Sequence, residues 1–136
     1  MQVVTTEEGT PVNCYITAGS IHDNTALQAM PLDLPEGSQI YTNSAYLNYE
    51  VEDLYEECEQ IRLLVERKSN SKRQDSASRR FLKKYYRKRV ETSFSEITAH
   101  FPAKIHAVTP QGFLLKIILF IFAFTFKKTL SATWIN

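Results

Sequence analysis

Cysteine, glycine and tryptophan are scarce in this 136-residue chain, which holds two, four and one of them. Cys14 and Cys58 show no CxxC spacing, so neither a disulfide framework nor a zinc knuckle is indicated, and a reduced intracellular compartment is the default. Four glycines supply no Gly-rich phosphate loop, and nucleotide-driven chemistry is not expected. Met1 leads into Gln2-Val3-Val4 without a basic region or a long apolar stretch, so no signal peptide is read. The one long apolar run, Phe113 to Phe126, would make about 21 Å of helix against a hydrocarbon core of about 30 Å, and Lys116 interrupts it. A buried or subunit-packing helix is expected there, and no membrane partner.

The most informative absence is of positive charge from the first part of the chain. The formal net charge is +1, yet residues 1–61 contain no Lys or Arg and 11 acidic residues, while residues 62–136 hold all 16 basic residues and 4 acidic ones. An asymmetry of this size points to a polyanion as the partner of the basic part. An apolar fraction of 43% and an aromatic fraction of 12% are those of a globular chain able to form a core, and the length suits one domain.

Val3 to Thr6 and Val12 to Thr17 are β-branched and aromatic-rich runs around Glu7-Glu8-Gly9-Thr10, which reads as a β-hairpin. Asp23-Asn24 supply cap chemistry for a short helix through Met30, stopped by Pro31. Gln39 to Thr42 reads as a strand that delivers Asn43 at its end. Leu47, Val51, Leu54 and Cys58 recur at helical spacing, opposite an acidic face of Glu50, Asp53, Glu56 and Glu57. Ile61 to Val65 reads as a short buried strand. Glu66 to Arg80 is polar and basic, hence a loop. From about Ala77 a long helix places Leu82, Tyr86, Val90, Phe94, Ile97 and Phe101 on one face until Pro102 ends it, and Gln111-Gly112 precede a final apolar helix. This order describes an α/β domain with a mixed sheet and flanking helices.

Two features could carry chemistry. Glu91 lies about 100° from the centre of the long helix's apolar face, with Arg87 four residues earlier on the same side. The plain reading is a surface ion pair; the sharper one is a metal-ligating carboxylate beside a phosphate-binding arginine. Residues 62–91 carry 12 basic and 3 acidic residues, interleaved with Phe81, Tyr85 and Tyr86. Such a run is either a solvated face or a surface that neutralises nucleic-acid phosphates, which positions a duplex without reading its sequence. His22-Asp23 could ligate a metal or form an acid/base pair, but a helix cap by Asp23 explains them more simply.

The segments Val4 to Val12, Ile16 to Asp23, Ile40 to Tyr46, Arg89 to Phe94 and Ala107 to Phe113, five in register, closely resemble the catalytic domain of bacterial insertion-sequence transposases of the DDE type. The resemblance runs from about Gln2 to Leu130, giving a partial DDE domain over residues 1–130 and a tail over 131–136. It implies a ribonuclease-H-like fold in which two aspartates and a glutamate hold two divalent ions, Mg²⁺ or Mn²⁺, for in-line attack on phosphodiesters. By resemblance Glu91 matches the glutamate, Arg87 is its helper, and Asn43 stands at the second aspartate; the first aspartate belongs to a strand with no counterpart here. An asparagine amide is neutral and cannot supply the charge that holds hard cations together.

The resemblance therefore leads us to expect a truncated and inactive copy lacking the first central strand, with an open sheet edge and a tendency to self-associate. DNA, as transposon ends and target, is the expected partner, through Lys72, Arg73, Arg79, Arg80, Lys83, Lys84 and Lys88. A second copy or a full-length transposase would be the protein partner, in the bacterial cytoplasm at the nucleoid. A fragment that binds DNA or a transposase without catalysis is the alternative expectation.

Overall fold

The β-branched runs, the proline stops and the capping residues translate into nine elements among the described residues. A computed structural model describes residues 1–134. In chain order they are β1 (Gln2–Thr5), β2 (Pro11–Tyr15), α1 (Asp23–Ala29), β3 (Gln39–Thr42), a 3-10 turn (Ser44–Tyr46), α2 (Tyr49–Cys58), β4 (Arg62–Val65), α3 (Ala77–Ala99) and α4 (Pro110–Trp134). The chain is mixed α/β. Its strands pair as two two-stranded sheets, β1 with β2 and β3 with β4, where the sequence suggested one mixed sheet. Between Ile16 and Ser38 the chain forms α1 and a loop holding Pro31 and Pro35. Proline has no N–H to give a ladder, and no strand arises there to join the pairs.

Contacts divide the chain into two compact units, one of Met1–Gln2 with Thr17–Lys88, the other of Val3–Ile16 with the chain from Arg89 onward. In the first unit β3 and β4 run parallel, in register from Gln39 opposite Arg62 to Thr42 opposite Val65. Parallel strands need a crossover, and α2 provides it, packed on β4. Asn48 caps α2 by accepting from the N–H groups of Glu50 and Val51. At the other end Gln60 adopts the left-handed conformation, φ 54°, and the Ile61 N–H returns to the Tyr55 carbonyl at 3.1 Å. Ala26, Leu27, Met30, Leu32, Val51, Tyr55, Ile61, Leu63 and Val65 form the buried core. Tyr55 satisfies its hydroxyl by donating to the Leu27 carbonyl at 3.1 Å.

Three local expectations change in this unit. Asp23 is the first helical residue of α1 rather than its cap: His22 holds the cap position without a side-chain bond, and Asp23 accepts from Gln2 Nε2 at 3.3 Å. Its charge still lies in the first turn, where the helix dipole favours it. The buried face of α2 is Val51, Glu52 and Tyr55, and Leu54 is 55% exposed. Leu47 precedes the helix and Cys58 is exposed. A buried acid defeats a pattern built on hydrophobic residues alone, because its burial depends on a distant partner.

In the second unit the hairpin tip meets the second half of α3. Thr6 and Thr10 close the five-residue turn through a 2.8 Å backbone bond, and the Gly9 N–H donates to the Thr6 carbonyl. Arg89 Nη2 donates to the Glu7 carbonyl at 2.8 Å. Gly9 has φ 86°, and a Cβ placed there would lie 2.6 Å from Ser93 Oγ. The buried residues of α3 are Lys83, Ser93 and Ile97, whereas the expected Leu82, Val90 and Phe94 are each 43% exposed. Ile97 is buried as the spacing predicts, and at 100° per residue Lys83, Ser93 and Ile97 point in nearly the same direction as the expected face, so polar side chains occupy part of it.

The helix ends at Ala99, ahead of Pro102, in tight turns through the His100 and Phe101 N–H groups. α4 begins at Pro110 and so contains Gln111 and Gly112: Thr109 Oγ1 accepts from the Gly112 N–H at 3.0 Å, and proline at the first position gives up no bond. Lys128 pairs with Glu96 at 2.6 Å, and Ile117, Ile121 and Phe124 are buried while Leu115, Leu119, Phe122 and Phe126 are exposed. Among the described residues no helix is long and apolar enough to cross a membrane. Of the segment expected as a tail, Ser131 to Trp134 continue α4, and residues 135–136 lie outside the described residues.

Gly9→Ala meets both a positive φ and Ser93, so it should lower stability by more than the ~1–2 kcal/mol of the left-handed conformation alone. Urea denaturation checks this; an unchanged midpoint would show that the hairpin tip does not dock on α3.

Candidate nucleic-acid interface

Beyond β4 the chain enters the basic loop, and four cationic contacts fix it. Arg67 forks onto Glu52, with Nη1 2.7 Å from Oε1 and Nη2 on Oε2, and both side chains are about nine-tenths buried. Arg73 forks onto Asp53 at 2.7 and 2.8 Å, but here the two side chains are 47% and 49% exposed. The Tyr49 ring lies beneath both guanidinium groups, 5.2 Å from Arg67 and 4.7 Å from Arg73. Its hydroxyl bonds Ser71 Oγ at 2.7 Å and accepts from the Lys72 N–H at 3.1 Å. Lys83 Nζ reaches both oxygens of Asp75 in a buried pair, and Arg87 donates to Glu66 at 2.6 Å.

One turn of α2 builds the receiving surface. Tyr49, Glu52 and Asp53 stand at i, i+3 and i+4, which is one face of a helix. In the sequence Asp53 belongs to an acidic face with Glu50, Glu56 and Glu57, and Glu52 stands outside that face. The signal available was an aromatic followed at this spacing by adjacent acids, ahead of a loop rich in arginine. The hydrogen bond from Arg73 holds the Asp53 carboxyl below the usual aspartate range, and the bond with Ser71 lowers the Tyr49 phenol. A depressed carboxyl stabilises the fold above the ordinary aspartate range, so the Asp53 contribution is lost only as pH falls through its lowered value.

The first half of α3 carries the exposed charge. Ser76 caps it, with the Arg79 N–H 3.3 Å from Ser76 Oγ. Tyr86 packs on Tyr41 of β3 with ring centroids 4.1 Å apart, which seats the helix in the first unit. Arg79, Arg80, Lys84 and Lys88 are exposed, as is Lys72 in the loop. Lys83 is instead 5% exposed and committed to Asp75, and Arg73 is committed to Asp53. The anticipated cation set therefore splits into solvent-facing members and members that hold the loop in place.

Asn43 and Arg87 belong to the first unit and Glu91 to the second. Asn43 is exposed at the end of β3 and caps the 3-10 turn, its Oδ1 accepting from the Ala45 N–H at 2.9 Å. Glu91 is exposed on α3.

This is an α/β chain whose cationic helix and loop are set on a small parallel sheet. Residues 1–126 match the family model described as "Transposase DDE domain", and the chain belongs to that family. No curated protein and no solved structure matches it. DDE transposases act on DNA and use divalent metal. Here the residues do not fit such a metal: Asn43 is neutral with its oxygen engaged, and among the described residues no group of three or more His, Cys, Asp or Glu could hold an ion.

Substitutions at two positions test this geometry. Glu52→Gln leaves the buried Arg67 charge without its partner and should cost ~3–5 kcal/mol in chemical denaturation; a loss under 1 kcal/mol would show the pair to be solvated. Asn43→Ala should lose ~1 kcal/mol through the missing cap while Asn43→Asp retains the cap; equal stability of all three proteins would remove the structural role assigned to Asn43.

Proposed function

We propose that this chain serves transposition by gripping DNA through its phosphates and does not itself cleave or join strands. The observation that carries the reading is the stretch Ala77–Lys88, which holds six cations and no acid, with Arg79, Arg80, Lys84 and Lys88 exposed. Charges of this kind neutralise phosphates and release condensed counterions, a favourable term that needs no base contact. The element order of hairpin, helix, strand, helix, strand, basic loop and long helix supports a ribonuclease-H-like arrangement, consistent with family membership.

The catalytic half of the proposal rests on chemistry. Two hard cations held close together need anionic oxygens, and at Asn43 the chain offers a neutral amide that caps a turn. In this reading Glu91 occupies the position of the family glutamate and Asn43 that of an aspartate, so the pair offers one carboxylate, and Arg87 supports the loop through Glu66.

Anisotropy titrations of the purified chain with duplex DNA should show binding that is indifferent to sequence. With about four phosphate contacts, affinity should fall ~10²-fold between 50 and 200 mM salt. Lys84→Gln or Arg79→Gln should each reduce the slope of log K against log salt by ~0.9. Salt-insensitive binding, or none, would overturn the DNA reading; DNA nicking or strand transfer in Mg²⁺ or Mn²⁺ would overturn the non-catalytic one.

A further inference from the structure

Arg67 and Arg73 present the same guanidinium fork to neighbouring carboxylates of α2, over the same tyrosine ring, yet their surroundings differ. The Arg67–Glu52 pair is 10% and 7% exposed, and the Arg73–Asp53 pair is 47% and 49% exposed. A guanidinium fork fits a phosphate as well as it fits a carboxylate, because both offer two oxygens in its plane. For the buried pair, exchange would strand Glu52 without its counterion, which the interior forbids. For the exposed pair it would not, since water can take over Asp53.

We propose that Asp53 is an internal stand-in for a DNA phosphate: it holds Arg73 on α2 in the free protein, and a backbone phosphate replaces it in the complex. The proposal rests on the DNA-binding reading above and adds a residue and a device to it. Several contacts prepare the exchange. Tyr49 lies 4.7 Å below the Arg73 guanidinium and can keep supporting it after the carboxylate has left. The loop stays anchored meanwhile, through the Arg67–Glu52 fork and the Lys72 N–H on the Tyr49 hydroxyl. The exposed Lys72 side chain is the immediate neighbour of Arg73 in the chain and would meet the same backbone. An exposed ion pair shifts an equilibrium by no more than about fivefold, so a phosphate that also releases counterions can displace it.

The contact is thus autoinhibitory in a mild sense. It lowers the affinity for any weak polyanion and keeps the loop in the shape that the duplex will meet. Arg73 also stays in place without needing a ligand.

The test measures DNA affinity and its salt slope by anisotropy for the wild type, Asp53→Asn, Arg73→Gln and the double variant, with Glu57→Gln as control. Glu57 is an exposed acid of the same helix and changes the net charge by the same amount. Asp53→Asn should bind ~2–5-fold tighter than wild type with the slope unchanged, because the same phosphates are neutralised in both. Glu57→Gln should give less than half of that gain. In the Arg73→Gln background the advantage of Asp53→Asn should shrink to that of the control. Arg73→Gln alone should lower the slope by ~0.9, a readout that does not depend on how Asp53→Asn folds. Equal gains from Asp53→Asn and Glu57→Gln, persistence of the gain without Arg73, or an unchanged slope in Arg73→Gln would each overturn the exchange while leaving DNA binding intact. Absence of salt-dependent binding in the wild type would remove the DNA reading and the exchange together.

Discussion

Two adjacent strands that run in the same direction cannot be joined by a turn, and much of the first unit follows from that constraint. β3 and β4 are parallel, so the chain between them must travel back along the sheet, and it does so as α2. Once α2 lies on β4, the residues that leave β4 emerge beside it. Those residues are the basic loop. Tyr49, Glu52 and Asp53, in the first turns of α2, then meet Arg67 and Arg73 of that loop. The loop's shape is a consequence of strand direction as much as of its own sequence.

The same geometry changes the meaning of the charge asymmetry. Taken linearly, an acidic part precedes a basic part. In the folded first unit Glu52 faces Arg67, Asp53 faces Arg73, and Glu56 faces Arg62. Part of the acidic stretch is therefore a counterion for part of the basic one. What remains for a polyanion is a narrower group of cations, on the loop and on the first half of α3. This sorting also distinguishes cations by depth: Lys83 is interior structure, Arg73 is half exposed, and Lys84 is open to solvent.

The sequence made the elements legible and left their faces obscure. The hairpin, β3, β4 and the family were readable because they depend on local chemistry: β-branched runs, prolines, capping residues, and five motif segments in order. Among the buried residues of α2 and α3, Val51 and Ile97 were readable and the others were not. Hydrophobic periodicity counts apolar side chains, whereas the positions buried here include Glu52, Lys83 and Ser93. Each is buried because something distant in sequence satisfies it or fits against it: Arg67 for Glu52, Asp75 for Lys83, Gly9 for Ser93. Asp23 failed as a cap for a smaller reason, a one-residue shift in the start of α1. At the candidate site the exposed cations were legible from composition. The carboxylates and the tyrosine that organise them were not, because their role exists only after the crossover is made.

The docking of Gly9 against Ser93 joins residues made far apart in time. The half of α3 that receives the hairpin is synthesised more than seventy residues after it. At ~5–20 residues per second that is a wait of several seconds or more. During it Thr17–Lys88 can gather its own strands, helices and ion pairs, while the hairpin has only itself. An isolated two-stranded hairpin is at best marginal in water. The second unit is thus a structure whose hairpin gains its packing partner only when the second half of α3 has been made.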